Sequence, residues 1–282
     1  MSARIVYQVM WRFRYDLLAL LVVADGMAVL MKFVPLQADS PVVPLMGIVV
    51  SIFIGFRNRN AYNRWWEART LWTGIVVNAR SLDYALIAYD DDSPEMAVIA
   101  DRMRRREARH AWQLAAELRG TTTARNPADL TPEDPADCRA IELLNRQAGD
   151  IAALSHAGLI DRQARRVLVA VNTAQVNTAG GLERIRHQPI PRFYDLFIRG
   201  LAWFFAILVC TRLDGGHDTV AGIVLSVLIM ALVIVAEQLG RLLEEPMSAD
   251  VFGLPLDRFC AEVTAELTTG PTDEGTVFAS PE

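Results

Sequence analysis

The stretch that most constrains this chain is Pro41–Arg69, PVVPLMGIVVSIFIGFRNRNAYNRWWEAR. Pro41–Phe56 carries no charge and no side chain more polar than Ser51. Arg57, Arg59, Arg64 and Arg69 then follow, interleaved with Asn58, Asn60, Asn63 and the pair Trp65–Trp66. A helix leaving a bilayer on its cytoplasmic side carries arginines at the exit and aromatic rings nearby. The expectation is a membrane-crossing helix that lines an ion path.

Composition agrees with a chain that is part membrane and part water-exposed: 52% hydrophobic, 22% charged, with a mean hydropathy of +0.22 over 282 residues. Four apolar stretches are legible, at Leu17–Val34, Pro41–Phe56, Phe197–Thr211 and Thr219–Val235. The connectors Pro35–Ser40 and Arg212–Asp218 hold one arginine between them, whereas the other segments outside the spans are arginine-rich. The positive-inside rule therefore favours four spans with both termini in the cytoplasm. No small-residue cleavage site follows the first stretch, so it reads as a span rather than a removed signal. Pro41–Phe56 and Phe197–Thr211 are short against the about twenty residues of a typical span, and a soluble helical bundle is the competing reading.

The expected fold class is all-α. Residues 1–14 form a cytosolic segment, 15–60 the first two membrane helices and 61–192 a helical cytosolic region. Residues 193–238 hold the third and fourth membrane helices, 239–267 a cytosolic C-terminal segment, and 268–282 a disordered tail. From Trp65 the positions Ala68, Trp72, Ile75, Val76, Ala79, Leu82 and Leu86 keep a helical period. The spacing predicts further helices over 93–119, 135–155, 160–187 and 255–267. Arg102, Arg104, Arg105, Arg106 and Arg109 read as a solvated helix face, with a lipid or partner surface as the alternative. Thr121–Asp137 reads as a polar loop in which Thr131-Pro132-Glu133-Asp134 resembles a helix start.

Little points to catalysis or metal chemistry. Nucleotide loops, zinc-protease motifs and nucleophile elbows are missing, and Cys138, Cys210 and Cys260 form no paired spacing. His110, His156, His187 and His217 are isolated and read as surface or hydrogen-bonded histidines. The chain is expected not to be an enzyme and to need no cofactor or metal. A net charge of −5 argues against a nucleic-acid partner. Asp16 reads as an interfacial residue, and Asp25 as an intramembrane carboxylate that pairs with Lys32 or faces water.

Within the second span, Ile48, Ile52 and Phe56 are spaced i, i+4, i+8 on one helix face, and Gly47, Ser51 and Gly55 form a stripe of small residues one position behind. In a symmetric ring the small stripe would meet the neighbouring copy and the bulky one would project toward the axis. A lipid-facing Ile/Phe stripe fits the same spacing.

Gly55–Arg69, G-F-R-N-x-x-A-Y-x-R-W-W-E-A-R, resembles the signature of the bacterial bestrophin family. Gln188-Pro189-Ile190-Pro191, Ala236-Glu237-Gln238 and Leu254-Pro255-Leu256-Asp257 follow in the family's order, so that the resemblance covers about residues 10–265. It implies a pentameric ion channel with four membrane helices per subunit and a helical cytosolic part around the pore. The partners implied are further copies of the chain, membrane lipid and small monovalent ions. Ile48, Ile52 and Phe56 match the rings of a hydrophobic neck, and Ile190 matches a cytosolic aperture. Arg57, Arg59 and Arg64 would anchor the exit of the span, and Trp65, Trp66 and Trp72 would pack cytosolic helices.

Two departures bear on function. Animal members carry an aspartate-rich calcium clasp, whereas Glu244-Glu245-Pro246-Met247-Ser248-Ala249-Asp250-Val251 has one carboxylate after its proline; calcium wants six to eight oxygen ligands. Chloride-conducting animal members have Phe at two neck positions, one of which is Ile52 here. Losing an electropositive ring edge there, together with the acidic net charge, favours a cation-permeable pore. The alternatives are a chloride or anion channel of the same fold, and a non-conducting oligomeric scaffold or sensor.

Overall fold

The computed structural model describes residues 3–31, 33, 41–90, 92–121, 125–188, 191–211, 220–249 and 252–268. Eight α-helices occupy these residues: α1 (Ala3–Met31), α2 (Val42–Ala88), α3 (Pro94–Arg119), α4 (Ala140–His156), α5 (Arg162–His187), α6 (Arg192–Cys210), α7 (Val220–Leu243) and α8 (Leu256–Thr268). A 3-10 turn spans Pro127–Leu130, and no strand occurs among the described residues. The all-α expectation therefore holds. The helices gather into two compact units, one of Met1–Trp65 and Pro189–Glu245, the other of Trp66–Gln188 and Pro246–Pro281.

The first unit contains α1, the first part of α2, α6 and α7. Leu20, Val50, Ile54, Ile198, Ala202, Phe205, Ala206, Val209, Met230 and Ile234 are buried together at its centre. Three helices hold stretches long and apolar enough to cross a membrane: Val42–Ala88, Phe193–Cys210 and Ser226–Leu243. The fourth helix of the bundle, α1, packs on α6 and α7 and is interrupted by Asp16 and Asp25. Asp25 is exposed, and the Lys32 suggested as its partner lies outside the described residues. Asp16 is not a bland interfacial group: it accepts hydrogen bonds from Arg199 of α6 (3.2 Å) and Gln238 of α7.

The second unit packs α3 against α8, α4 and α5, with the remainder of α2 contributing Leu82, Ala85 and Leu86 to a core shared with Met96, Met103, Ile151, Leu154 and Leu168. Its helix ends follow their sequence signals. Ser93 caps α3 by accepting from the Met96 amide (3.1 Å) ahead of Pro94, and Gly120 closes the helix in the left-handed region (φ 66°). Asp161 caps α5 through the Ala164 amide (2.7 Å).

Three expectations are corrected here. The segment 131–134 is a turn rather than a helix start, and α4 begins later, at Ala140. Thr131 and Asp134 are instead held by α3: Arg109 donates to Thr131 Oγ1 (2.8 Å), and Arg106 donates to both Asp134 oxygens (2.7 and 3.0 Å). The arginine run is accordingly no solvated face. Arg102 and Arg106 share Asp150, Arg104 meets Asp83 (2.6 Å), Arg105 meets Asp101 (2.9 Å) and Arg109 is wholly buried. His110 departs from expectation too: it is fully buried, and neither ring nitrogen has a hydrogen-bond partner among the described residues.

Beside His110, one turn away, lies Glu107, whose two oxygens accept from the side-chain amides of Gln147 on α4 (2.9 Å) and Gln175 on α5. Burial pushes the Glu107 carboxyl from 4.5 up to about 7, against those two amides, and burial also pushes the His110 imidazole from 6.5 down to about 4. The two contributions to stability oppose each other. A raised carboxyl favours the folded state at low pH and loses that advantage as pH climbs through about 7; a depressed imidazole loses its advantage as pH falls from 6.5 through about 4. Between 4.5 and 6.5 the slopes cancel. Glu107→Gln removes the falling limb. Thermal unfolding followed by tryptophan fluorescence should then show stability rising from pH 4.5 to 6.5 in the variant, where these two groups leave the parent flat.

Candidate pore face and its anchor

At about 100° per residue, Ile52 and Phe56 lie about 40° and 80° around α2 from Ile48, while Arg57 lies about 180° away. The structure divides the helix along these lines. Ile48, Ile52 and Phe56 are 58%, 49% and 58% exposed, on a face that the described residues leave open. Val50, Ile54 and Arg57, on the opposite face, are buried. Phe53 packs edge-to-face on Phe197 of α6, ring centres 5.6 Å apart at 74°.

Arg57 is the anchor of that inward face. It is 1% exposed and donates to three carboxylates: Asp195 of α6, Glu237 of α7 (2.8 Å) and Glu244 just past the end of α7 (2.9 Å). The planar guanidinium suits such a task, since its five donors fan out in fixed directions. The neighbouring Asn58 donates to the Ala236 carbonyl (3.1 Å), and Arg64, two turns on, donates to the Glu244 carbonyl (3.0 Å). Close approach of α2 and α7 here requires Gly240: a Cβ at that position would run into the Asn58 side chain and meet Arg57 Cδ at 3.6 Å.

The small-residue stripe divides. Gly47 faces Phe205 of α6 in its own chain, where an added Cβ would sit 3.3 Å from Cζ. Ser51 is exposed and donates its hydroxyl proton to the Ile48 carbonyl (2.8 Å), and around Gly55 a Cβ would meet nothing within 4 Å. Of the expected packing tryptophans, Trp72 is fully buried, Trp65 is half-buried beside Tyr62, and Trp66 is exposed. Arg59 is exposed. Ile190, the expected aperture residue, lies outside the described residues.

Sequence reasoning missed the carboxylate side of the anchor. Glu237 carries weight in the sequence only through the family resemblance, and Asp195 belongs to no motif of its own. A usable signal was present, because an isolated carboxylate in an apolar helix needs a cation and Arg57 stands at the boundary of another span. Among the described residues no group of three or more His, Cys, Asp or Glu is placed to hold a metal ion. The three carboxylates converge on a guanidinium instead, and Glu244, from the stretch that departs from the animal calcium clasp, is one of them.

This arrangement of helices is that of solved bacterial bestrophins. A point variant of a bacterial bestrophin homologue from Klebsiella pneumoniae superposes with a TM-score of 0.82 at 23% identity, over 92% of this chain and 98% of that one. Another structure of a homologue from the same organism gives 0.78 at 23%, over 93% and 97%. The sequence profile described as bacterial/fungal bestrophin protein matches residues 1–269, and the chain belongs to that family. Curated relatives include the voltage-dependent anion channel-forming protein mll4386 of Mesorhizobium japonicum, 30% identical over 229 residues, covering 77% of this chain and 70% of that protein. The voltage-dependent anion channel-forming protein YneE of Escherichia coli K12 is 28% identical over 237 residues, covering 79% and 74%.

Removing Arg57 leaves three carboxylates facing one another without their cation. Breaking a buried pair from one side costs about 3–5 kcal/mol. Arg57→Ala is expected to lower the unfolding temperature of the detergent-solubilised protein strongly, and Arg57→Lys to recover only part of the loss, because an ammonium lacks the fork. Equal melting temperatures for parent and Arg57→Ala would refute the anchor.

Proposed function

We propose that the protein is a homopentameric channel of a bacterial inner membrane that passes small monovalent anions down their gradient. Its termini lie in the cytoplasm. The observation that carries this reading is the uncovered Ile48–Ile52–Phe56 face on a helix whose opposite face is anchored by Arg57. Five copies around an axis would turn that face into three stacked apolar rings, a neck that acts by radius and dewetting rather than by charge. Ser51 and Gly55, open in the single chain, would meet the adjoining copy, and Ile190 would form a second constriction. Membrane lipid would cover exposed apolar residues such as Leu18, Val22, Phe204, Leu228 and Leu232.

The cation preference drawn from Ile52 and the net charge is set aside. The curated relatives are named for anion channels. No carboxylate lies on α2 before Glu67, and Asp195, Glu237 and Glu244 are engaged by Arg57 on the opposite side of the helix. Net charge summed over a chain says little about one helix face.

Purified protein in a planar bilayer with asymmetric KCl tests the proposal. The reversal potential is expected near the chloride equilibrium potential, and Phe56→Ala, which widens the last ring, is expected to raise unitary conductance severalfold. A bilayer that stays silent with both proteins would defeat the channel reading, and a reversal at the potassium potential would defeat the anion reading alone. Mass determination in detergent checks the subunit number.

A further inference from the structure

Arg59 differs from the other arginines at this boundary. Arg57 is buried among carboxylates, and Arg64 is held by a backbone carbonyl. Arg59 is exposed, and no hydrogen bond or ion pair to it occurs among the described residues. Its position on the helix is equally specific. Measured from Ile48, Arg59 falls at about 20° and Asn63 at about 60°, inside the arc of about 80° that Ile48, Ile52 and Phe56 define. Three residues past Phe56, it stands about 4.5 Å further along the axis. From Pro41 to Asn58 the exposed side of α2 offers no charge of either sign, and Arg59 is the first.

We infer that Arg59 is the residue that sets ion charge selectivity, presenting a guanidinium to each ion immediately beyond the neck. The inference rests on the channel reading above. An unpaired guanidinium is a strong donor for an anion that has just crossed an apolar constriction, and it repels a cation at the same point. Copies of Arg59 around an axis would form a positive ring; rings of arginine or lysine are a standard device for admitting anions. The apolar rings supply a barrier to all hydrated ions, and the charged ring decides which sign crosses it. Because Arg59 holds no other group among the described residues, its replacement leaves the Arg57 anchor intact.

The test uses the full-length protein in bilayers with asymmetric KCl at low and high ionic strength. Arg59→Gln is expected to lower the chloride-to-potassium permeability ratio at least about fivefold, the factor one unit charge about 4 Å away gives at the dielectric of water. Arg59→Glu lowers it further, Arg59→Lys keeps most of it, and the differences shrink as salt screens the charge. Arg59→Cys provides an independent readout, because the native Cys138, Cys210 and Cys260 are all buried. A cationic thiol reagent should restore chloride preference in that variant, and an anionic one should reverse it. If the parent conducts chloride and Arg59→Glu keeps the same permeability ratio, the inference is wrong and the channel reading stands. If the parent conducts potassium but Arg59→Glu still raises the potassium share, the anion reading fails and the role of Arg59 stands. A parent that conducts nothing defeats both. Insensitivity of the current to either thiol reagent would show that Arg59 faces lipid headgroups rather than the ion path, and would also overturn the inference.

Discussion

A buried guanidinium fixes the rest of the membrane unit. Arg57 draws Asp195 of α6, Glu237 of α7 and Glu244 to a single point on α2. Burying one cation with three carboxylates is tolerable only if each group finds its partner, so the geometry has few solutions. One of its consequences is rotational. A helix turned by one residue swings by about 100°, which would take Arg57 out of its nest. With Arg57 locked inward, Ile48, Ile52 and Phe56 have no choice but to face outward. The uncovered stripe is thus as much a product of the ion pairs behind it as of its own apolar side chains.

The same pattern of arginine-led organisation recurs in the second unit with a different outcome. Arg102, Arg104, Arg105 and Arg106 bind acids that lie elsewhere in the chain, on α2, α4 and the segment before α4, as well as Asp101 on α3 itself. Arg109 instead donates from its two terminal nitrogens to carbonyl and hydroxyl oxygens, while its buried Nε has no partner among the described residues. Below them, Glu107 sits among amides instead of cations, and its carboxyl is driven toward the neutral form by burial. Within two turns, α3 therefore carries both ion-paired arginines and, on a different side, a carboxyl in a neutral polar core.

Much of the fold was legible because it follows from short-range rules. The periodicity from Trp65 to Leu86 and the helices expected over 93–119 and 160–187 depend on residues a few positions apart. What escaped depends on partners beyond the reach of local rules, from 21 to 187 positions away. Arg57 and Glu237 are separated by 180 residues, and neither announces the other. The arginine run of α3 read as solvated because its counter-charges, at Asp83, Asp134 and Asp150, are dispersed. Thr131–Asp134 carried helix-start residues, yet Arg106 and Arg109 claim their oxygens. The candidate neck was visible as a stripe, whereas Ile52 and a chain-wide charge total say little about which ion such a stripe would pass.

The smallest of the features described, the hydrogen bond from Ser51 to the Ile48 carbonyl, has a consequence for how any ion would cross. Ser51 is the one hydroxyl in the apolar part of α2, and its proton is already committed within the helix. From Ile48 to Phe56, then, no side chain can replace a water molecule that an anion leaves behind. If copies of the chain form the proposed neck, an ion crossing that length would keep its hydration or lose it uncompensated, so weakly hydrated anions would travel more easily than strongly hydrated ones of similar size.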